Sequence, residues 1–290
     1  MIIPLRQRRI KLGKISRLSR TTTIGWVVAI TLAILPAEAQ ADVLEMVVAG
    51  KHANFSLEQL KAKLKVHTIK IEDIVYGKPK TYDGFALPEV LKLAGLDNSA
   101  SGDELVFTAK DGYSPNMQFA PLREHHAFLV FQEHGKHLEF EKVAQGKAMI
   151  SPGPYYVVWE EGKKLKDTVP WPYQLAKIEV VSFAQKYVHL YPRETDPASA
   201  VFEGFVVFKN QCLRCHSINL EGGTIGPELN APLNVTEYWA KDTMLKFIRD
   251  PAQFRYRDKM PGFRDQLKPE EIEDVYAYLV HMKAYKIKSE

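Results

Sequence analysis

Residues 212–216 read Cys212-Leu213-Arg214-Cys215-His216 and contain both cysteines of the 290-residue chain. Cys-x-x-Cys-His is the attachment signature of c-type haem. Each thiol can form a thioether to one haem vinyl group, and the adjacent imidazole can become the proximal ligand of the iron. A thioredoxin-like pair is the competing interpretation, since it also uses Cys-x-x-Cys. A structural zinc site would need four ligands, and no second Cys/His pair follows at a suitable spacing.

A low-spin haem that transfers electrons needs a second axial ligand, commonly a methionine on a downstream loop. Three methionines follow the motif: Met244, Met260 and Met282. Met244 and Met282 fall within predicted helices, where a core role is usual. Met260 precedes Pro261 and Gly262, which favour a loop. We therefore predict Met260 as the sixth ligand; the alternative is a buried loop methionine, with the sixth site open or filled by another group.

Three helices are predicted around the motif. The first begins with Asp196 as N-cap and Pro197 at the first helical position, and it runs to Cys212. The second spans 236–250 and stops at Pro251. The third opens at Pro269, with apolar residues at helical spacing after it. Gly204 has no side chain and would let the first and last helices cross closely.

Residues 196–285 resemble a class I monohaem cytochrome c. The likeness rests on ordered motifs: Gly204 with Phe208, Gly226-Pro227-Glu228-Leu229, Phe247-Ile248-Arg249-Asp250-Pro251, Met260-Pro261 and Tyr278-Leu279. The resemblance implies an all-α domain with one covalent haem c, His216 and Met260 as iron ligands, and outer-sphere electron transfer. It also implies that the Pro227 carbonyl accepts a hydrogen bond from the other ring nitrogen of His216, which would fix the tautomer.

The first 41 residues have the order of a secretory signal. They hold seven Lys/Arg and one acidic residue, an apolar run at 24–35, and small residues before Ala41. We predict cleavage after Ala41, with Ala39 as the second candidate; the alternative is an uncleaved anchor, although twelve residues cover only about 18 Å of a hydrocarbon core of about 30 Å. Without the leader, 32 basic and 34 acidic residues remain of the chain's 39 and 35. The apparent basicity therefore belongs to the leader, which removes the main support for nucleic-acid binding.

The rest of the chain predicts a domain at 42–192 followed by the cytochrome c domain at 193–290. The first is α+β and mainly β. Its two short helices begin at Ser56, with Gln59 completing a capping box, and at Pro88. The predicted strands are Leu44–Val48, His67–Ile71, Glu104–Thr108, Ala127–Phe131, Tyr155–Trp159 and Ala176–Phe183.

Three stretches of this first domain resemble the pterin-binding fold of sulfite-oxidase-type molybdenum enzymes. They are residues 82–87 (Tyr-Asp-Gly-Phe-Ala-Leu), 108–113 (Thr-Ala-Lys-Asp-Gly-Tyr) and 169–181. Those enzymes bind molybdenum through one cysteine thiolate, and this domain contains no cysteine. The departure removes the metal's protein ligand. We therefore interpret the domain as a cofactor-free molybdopterin-oxidoreductase-like relative that binds a partner or a small ligand.

Two groups of side chains leave alternatives open. His125, His126, His134 and His137 form either a copper or zinc site or, as we favour, an ordinary polar hairpin. Four basic residues flank Met260. They form either a rim that steers an acidic partner to the haem edge or local pairs with Asp258, Asp265 and the haem propionates. These basic residues are Arg255, Arg257, Lys259 and Arg264.

Together these patterns predict a periplasmic, exported electron carrier whose N-terminal domain docks a redox partner or ligand. The partner would be a periplasmic or membrane-bound protein, and no stable membrane span would remain after signal cleavage. The alternative is a haem-containing oxidoreductase, in which the N-terminal domain binds a substrate or a pterin/metal cofactor and passes electrons to the haem. Whether the chain is itself an enzyme stays open at this point.

Overall fold

The computed structural model describes residues 43–96, 102–256 and 258–288. Within these ranges a mainly β N-terminal part is followed by a helical C-terminal part. The predicted leader, 1–41, lies outside the described residues. No helix in the described ranges has the length and apolarity that a bilayer span requires.

The N-terminal part contains two main sheets. One has five strands in the order β2-β1-β11-β5-β6, with a parallel pair at β1 and β11, and the other is antiparallel in the order β10-β7-β4-β3. The strands are β1 (Leu44–Val48), β2 (Lys51–Phe55), β3 (His67–Asp73), β4 (Lys78–Ala86), β5 (Glu104–Ala109), β6 (Asn116–Gln118), β7 (Ala127–Glu133), β8 (Val143–Gln145), β9 (Ala148–Ile150), β10 (Tyr156–Trp159) and β11 (Leu175–Val181).

The burial pattern of the strands explains why they form. In β1, Leu44, Met46 and Val48 are buried while the residues between them are partly exposed, which is the period of a half-buried strand. All four residues of β10 are buried, so this strand is covered on both faces. Each of the six predicted strands is present, and the mainly β character of this part is confirmed.

Four short helices accompany the sheets. The predicted capping box is formed: Ser56 Oγ accepts from the Gln59 amide, and the Gln59 side chain accepts from the Ser56 amide. The second helix carries Pro88 in its first turn, as predicted, and its chain leaves through Gly95 at φ +100°. The helices are α1 (Leu57–Lys63), α2 (Leu87–Leu93), α3 (Ala120–Glu124) and α4 (Phe183–Lys186).

The C-terminal part is built on α5 (Ala200–Val207), α6 (Lys241–Arg249) and α7 (Pro269–Met282). Two predicted helix starts are wrong. Ser199, not Asp196, caps α5, since its hydroxyl accepts from the Phe202 amide, while Asp196 turns the preceding chain. The helix predicted at 236–250 is split into a 3₁₀ turn, Val235–Glu237, and α6, because Ala240 is extended.

The crossing of α5 and α7 depends on Gly204. A Cβ at this position would lie 1.9 Å from the Asp274 carbonyl oxygen, so only a residue without a side chain permits the contact. Phe205 and Phe208 then pack against the Tyr278 ring, with centroids 5.8 and 5.3 Å away. Close approach of the two backbones therefore brings the aromatic core together.

The two parts share apolar packing. The apolar cluster of the helical part includes Val106 from β5 and Phe183, Tyr187 and Leu190 from the segment after β11. The Tyr278 hydroxyl donates to the Leu190 carbonyl at 2.7 Å. All described residues belong to one compact unit, Gln40–Glu290. The domain boundary at 192/193 stays a prediction, and the apolar packing extends across it.

We expect Gly204→Ala to destabilise the protein by about 3 kcal/mol, at the upper end of overpacking costs. Helix propensity alone would make the alanine variant more stable by about 1 kcal/mol. A loss of stability would therefore show that the steric clash outweighs helix propensity. Thermal or denaturant unfolding measures it. The matched control is Glu203→Ala, at the exposed neighbouring position, for which we expect a change within about 0.5 kcal/mol. Equal stabilities for the two variants would contradict the packing argument.

Candidate cofactor site

The Cys-x-x-Cys-His segment is held in a tight turn at the end of α5. The helix passes into a short π-helical segment, Phe208–Cys212, closed by a bond from the Leu213 amide to the Phe208 carbonyl at 2.9 Å. The amides of Cys215 and His216 both donate to the Cys212 carbonyl, at 3.0 and 2.9 Å. The side chain of Leu213 is buried. The turn therefore fixes the backbone of the two cysteines and the histidine as one unit.

The two thiols are free and half-buried. Burial raises the pKa of Cys212 to about 12 and that of Cys215 to about 11, although the Arg214 charge opposes both shifts. Both side chains are therefore protonated at neutral pH. A thioredoxin-like pair depends on a lowered thiol pKa, so the site lacks the property that such chemistry needs.

The imidazole of His216 is held from two directions. Its Nδ1 lies 2.9 Å from the Pro227 carbonyl oxygen, the bond that the resemblance implies. A carbonyl only accepts, so Nδ1 carries the proton and Nε2 keeps a lone pair. A Cβ on Gly226 would lie 2.6 Å from the His216 Cε1 atom. Burial lowers the pKa of His216, which favours the neutral ring that binds metals.

In the sequence, Glu228 occupies only the variable position of the Gly-Pro-x-Leu segment, and its role was not predicted. In the structure its carboxylate organises the loop that follows the motif. It accepts from the amides of Asn219 (2.8 Å), Leu220 (3.0 Å), Asn230 (2.9 Å) and Ala231 (3.1 Å). This loop includes the tight hairpin of β12 (Ser217–Ile218) and β13 (Glu221–Gly222). The carboxylate thus fixes the segment that carries the partner of His216.

Three buried asparagines, also missed, tie this loop to α7. Asn230 donates to Asn219 Oδ1 at 2.9 Å, and Asn234 donates to Asn230 Oδ1 at 2.7 Å. Asn234 also donates to the Leu279 carbonyl at 2.8 Å. Nothing in their sequence spacing marks them, because residues 11 and 45 positions apart meet only in the folded chain.

Met260 lies in a loop, whereas the other two candidate methionines lie in helices. Met260 is half-buried against the apolar cluster, and its amide donates to Asp258 Oδ1 at 3.0 Å. Buried Phe263 anchors the loop, since its amide donates to the Ile248 carbonyl at 3.1 Å. Met244 and Met282 are buried in the cores of α6 and α7. The structure thus separates the loop thioether from the core thioethers.

These residues fit haem better than a bare metal ion. A porphyrin supplies four nitrogen ligands itself, so the protein needs only axial ligands and covalent anchors. His216 offers a lone pair, Met260 a loop thioether, and Cys212 and Cys215 protonated thiols. Within the described residues no group of three or more His, Cys, Asp or Glu side chains could hold a metal ion. Of the four histidines grouped in the sequence analysis, three instead lie near carboxylates, in the pairs His125–Glu161 (3.4 Å), His126–Glu160 (3.3 Å) and His134–Asp83 (2.8 Å).

Comparison with known families bears on the same segment. Residues 199–279 match the family model of cytochrome C oxidase, cbb3-type, subunit III. The matched residues cover α5, the Cys-x-x-Cys-His turn and all but the end of α7. The C-terminal part therefore matches a cytochrome c domain, and such a domain implies haem c binding, electron transfer and redox partners. The likeness of the N-terminal part to sulfite-oxidase-type enzymes stays a prediction.

Glu228 gives the site a pH dependence. Burial alone would raise its pKa, but hydrogen bonds from Ser217 and from three backbone amides outweigh this and lower the pKa below its usual 4.5. A lowered folded-state pKa stabilises the fold above the unfolded-state pKa, and this stability is lost as the pH falls through the folded-state pKa. We therefore expect Tm to fall below about pH 4.5 in the wild-type protein.

Glu228→Gln should remove part of that pH dependence and cost about 1–3 kcal/mol at pH 7, because an amide nitrogen would face backbone donors. Thermal unfolding between pH 7 and 3 measures both effects. Glu139→Gln, at an exposed position of the N-terminal part, makes the same charge change and should leave the profile unaltered. If Tm falls with pH in Glu228→Gln just as it does in the wild type, Glu228 is not the source of the pH dependence.

Proposed function

We propose that the protein is a periplasmic c-type cytochrome that carries single electrons through one haem. In this proposal Cys212 and Cys215 would bind the haem covalently, and His216 and Met260 would hold its iron. The observation that carries the proposal is the environment of His216. One ring nitrogen bonds to the Pro227 carbonyl, and Gly226 leaves room for the ring, so the other nitrogen is available to a metal.

The chain's own residues define the mechanism. When bound, haem c supplies an iron that alternates between two oxidation states. Pro227 and Gly226 orient His216, and the apolar cluster around Phe208, Leu213 and Tyr278 excludes water. A fixed ring and a dry surround limit reorganisation during electron transfer, and they tune the potential. If His216 and Met260 both bound the iron, they would leave no position for oxygen or peroxide, and the chemistry supplied would be outer-sphere electron transfer.

The alternative, an oxidoreductase with a molybdenum cofactor in the N-terminal part, requires a thiolate ligand there. Both cysteines of the chain lie in the haem-attachment turn. We therefore assign the N-terminal part a docking role. Export by the 1–41 leader remains part of the proposal, and N-terminal sequencing of the protein from a periplasmic fraction tests it. A mature chain that starts at Asp42 agrees with cleavage, and an intact leader contradicts it.

The basic surface beside Met260 supports a partner with an acidic surface. Arg255 and Lys259 are exposed, and in the part of the chain that is described neither forms an ion pair. Arg264 lies 3.8 Å from carboxylates of Asp250 and Asp265, so it follows the local-pairing alternative instead. Arg257 is outside the described residues. We propose that Arg255 and Lys259 steer the partner toward the Met260 loop.

The proposed haem ligation predicts three properties of the purified full-length protein. A Soret band should appear after maturation, and acidic acetone should leave the pigment on the denatured chain because the thioethers are covalent. Metal analysis should find one iron and no molybdenum per chain. Release of the pigment into acetone, or molybdenum in the protein, would contradict the proposal.

Methionine-to-leucine variants extend this test to the sixth ligand, because leucine nearly conserves volume but cannot bind iron. Met260→Leu should abolish the weak near-infrared sulfur-to-iron band, whereas Met244→Leu and Met282→Leu should retain it. Absorption of the oxidised protein measures the band. Its survival in Met260→Leu would assign the sixth position to another residue.

The steering proposal predicts how fast an anionic oxidant reacts. Oxidation of the reduced protein by hexacyanoferrate(III) should slow as salt is added, because ions screen the attraction. Neutralising Arg255 and Lys259 with glutamine should slow the reaction several-fold at low salt. The control is Lys51→Gln with Lys70→Gln, which changes the net charge equally at exposed sites of the N-terminal part. Equal rates for the two double variants would exclude steering by this surface.

A further inference from the structure

The turn between β5 and β6, residues 110–115, contacts the C-terminal part through its backbone. The Ser114 amide donates to the Arg214 carbonyl at 2.7 Å, and the Thr224 amide donates to the Gly112 carbonyl at 2.9 Å. The first bond reaches the residue between the two cysteines, and the second reaches the loop that follows them. One turn of the N-terminal part is therefore bonded both to the attachment turn and to this loop.

The loop at 222–226 lies between that turn and the attachment turn. On the side of the attachment turn, the Gly226 amide donates to the Cys215 carbonyl at 2.7 Å. A Cβ at Gly223 would lie 2.3 Å from the Arg214 carbonyl oxygen, so the two backbones are in direct contact. The loop is thus enclosed on both sides and has little room to move.

Gly112 makes the contact on the other side of the loop possible. Its φ is +90°, and a Cβ there would lie 2.1 Å from Thr224 Oγ1 and 3.2 Å from the Ile225 backbone nitrogen. Thr224 and Ile225 directly precede residues 226–227, which hold the His216 ring. A side chain at position 112 would therefore push on the segment that orients the imidazole.

A buried ion pair holds the two parts together at a second point. Lys209 precedes the attachment motif by three residues, and its ammonium group pairs with Glu104 at the start of β5. Glu104 is 3% exposed, and the ammonium nitrogen also lies 3.8 Å from the centroid of the Phe183 ring. A buried pair needs close geometry, so it restrains how the two parts are oriented. An added side chain at position 112 would consequently displace the loop rather than the whole N-terminal part.

We propose that Gly112 is a positioning residue for His216, which acts through Thr224 across the contact between the two parts. The turn at 110–115 determines where the loop lies, and the loop determines how well the Pro227 carbonyl accepts from His216 Nδ1. That hydrogen bond raises the basicity of the imidazole toward a metal. The inference rests on the proposed haem. It assigns the N-terminal part a role in tuning the axial histidine that needs no cofactor of its own.

The test follows the Nδ1 proton of His216 by NMR in the reduced, full-length haem protein. In Gly112→Ala this proton should exchange with solvent several-fold faster than in the wild type, because the displaced loop weakens its hydrogen bond. The reduction potential should rise, since a less basic ring stabilises the oxidised iron less. Adding Thr224→Ala removes the atom that the new Cβ meets, and the double variant should regain part of the wild-type exchange rate.

The matched control is Gly162→Ala. Gly162 also has a positive φ, +57°, and a Cβ there would lie 2.7 Å from the Glu72 carbonyl oxygen, elsewhere in the N-terminal part. This variant should lose stability without changing the exchange of the His216 proton or the potential. Equal effects of Gly112→Ala and Gly162→Ala on the exchange rate would overturn the inference, as would an unchanged rate in Gly112→Ala.

A second pair of variants decides the question if Gly112→Ala does not mature. Lys209→Met removes the ion pair between the two parts, and Lys80→Met removes the buried pair with Glu133 within the N-terminal part. The His216 proton should exchange faster in Lys209→Met but not in Lys80→Met, and equal rates in these two variants would contradict the inference. Absence of covalent haem from the wild-type protein would instead refute the proposed function.

Discussion

The hydrogen bond between His216 and the Pro227 carbonyl is the interaction on which the site depends. It joins the attachment turn to the loop that follows, and it decides which ring nitrogen is free. The bond needs the absence of a side chain at Gly226 and a loop held in place by Glu228. The state of one imidazole therefore depends on the conformation of the whole loop between the attachment turn and Ala231.

The packing of the helical part also positions the turn that carries His216. Gly204 lets α5 and α7 cross at backbone contact, and this crossing brings Phe205 and Phe208 onto Tyr278. The attachment turn follows α5 through a π-helical segment, so the crossing also fixes where the cysteines begin. The buried asparagines then connect the loop after the motif to α7. The contacts that form the helical core therefore also position the candidate cofactor site.

The N-terminal part contributes to that structure as well. It supplies Val106 to the apolar cluster, and the turn at 110–115 bonds to the attachment turn. A freely tethered docking domain would not need such contacts. Hydrogen bonds to Arg214 and Thr224 instead make the mainly β part a fixed neighbour of the site.

Local patterns in the sequence were enough for the attachment motif, the capping box at Ser56, the strands of the N-terminal part and the glycine at the helix crossing. These features depend on residues close together in the chain or on a strict period, so short-range physics determines them. The start of α5 was misplaced because Asp196 and Ser199 are both good caps, and the choice between them depends on the packing that follows. The roles of Glu228 and of the three asparagines were decided by tertiary structure alone. Their partners lie far away in sequence, and a buried polar group finds its acceptor only when the folded chain brings the two together.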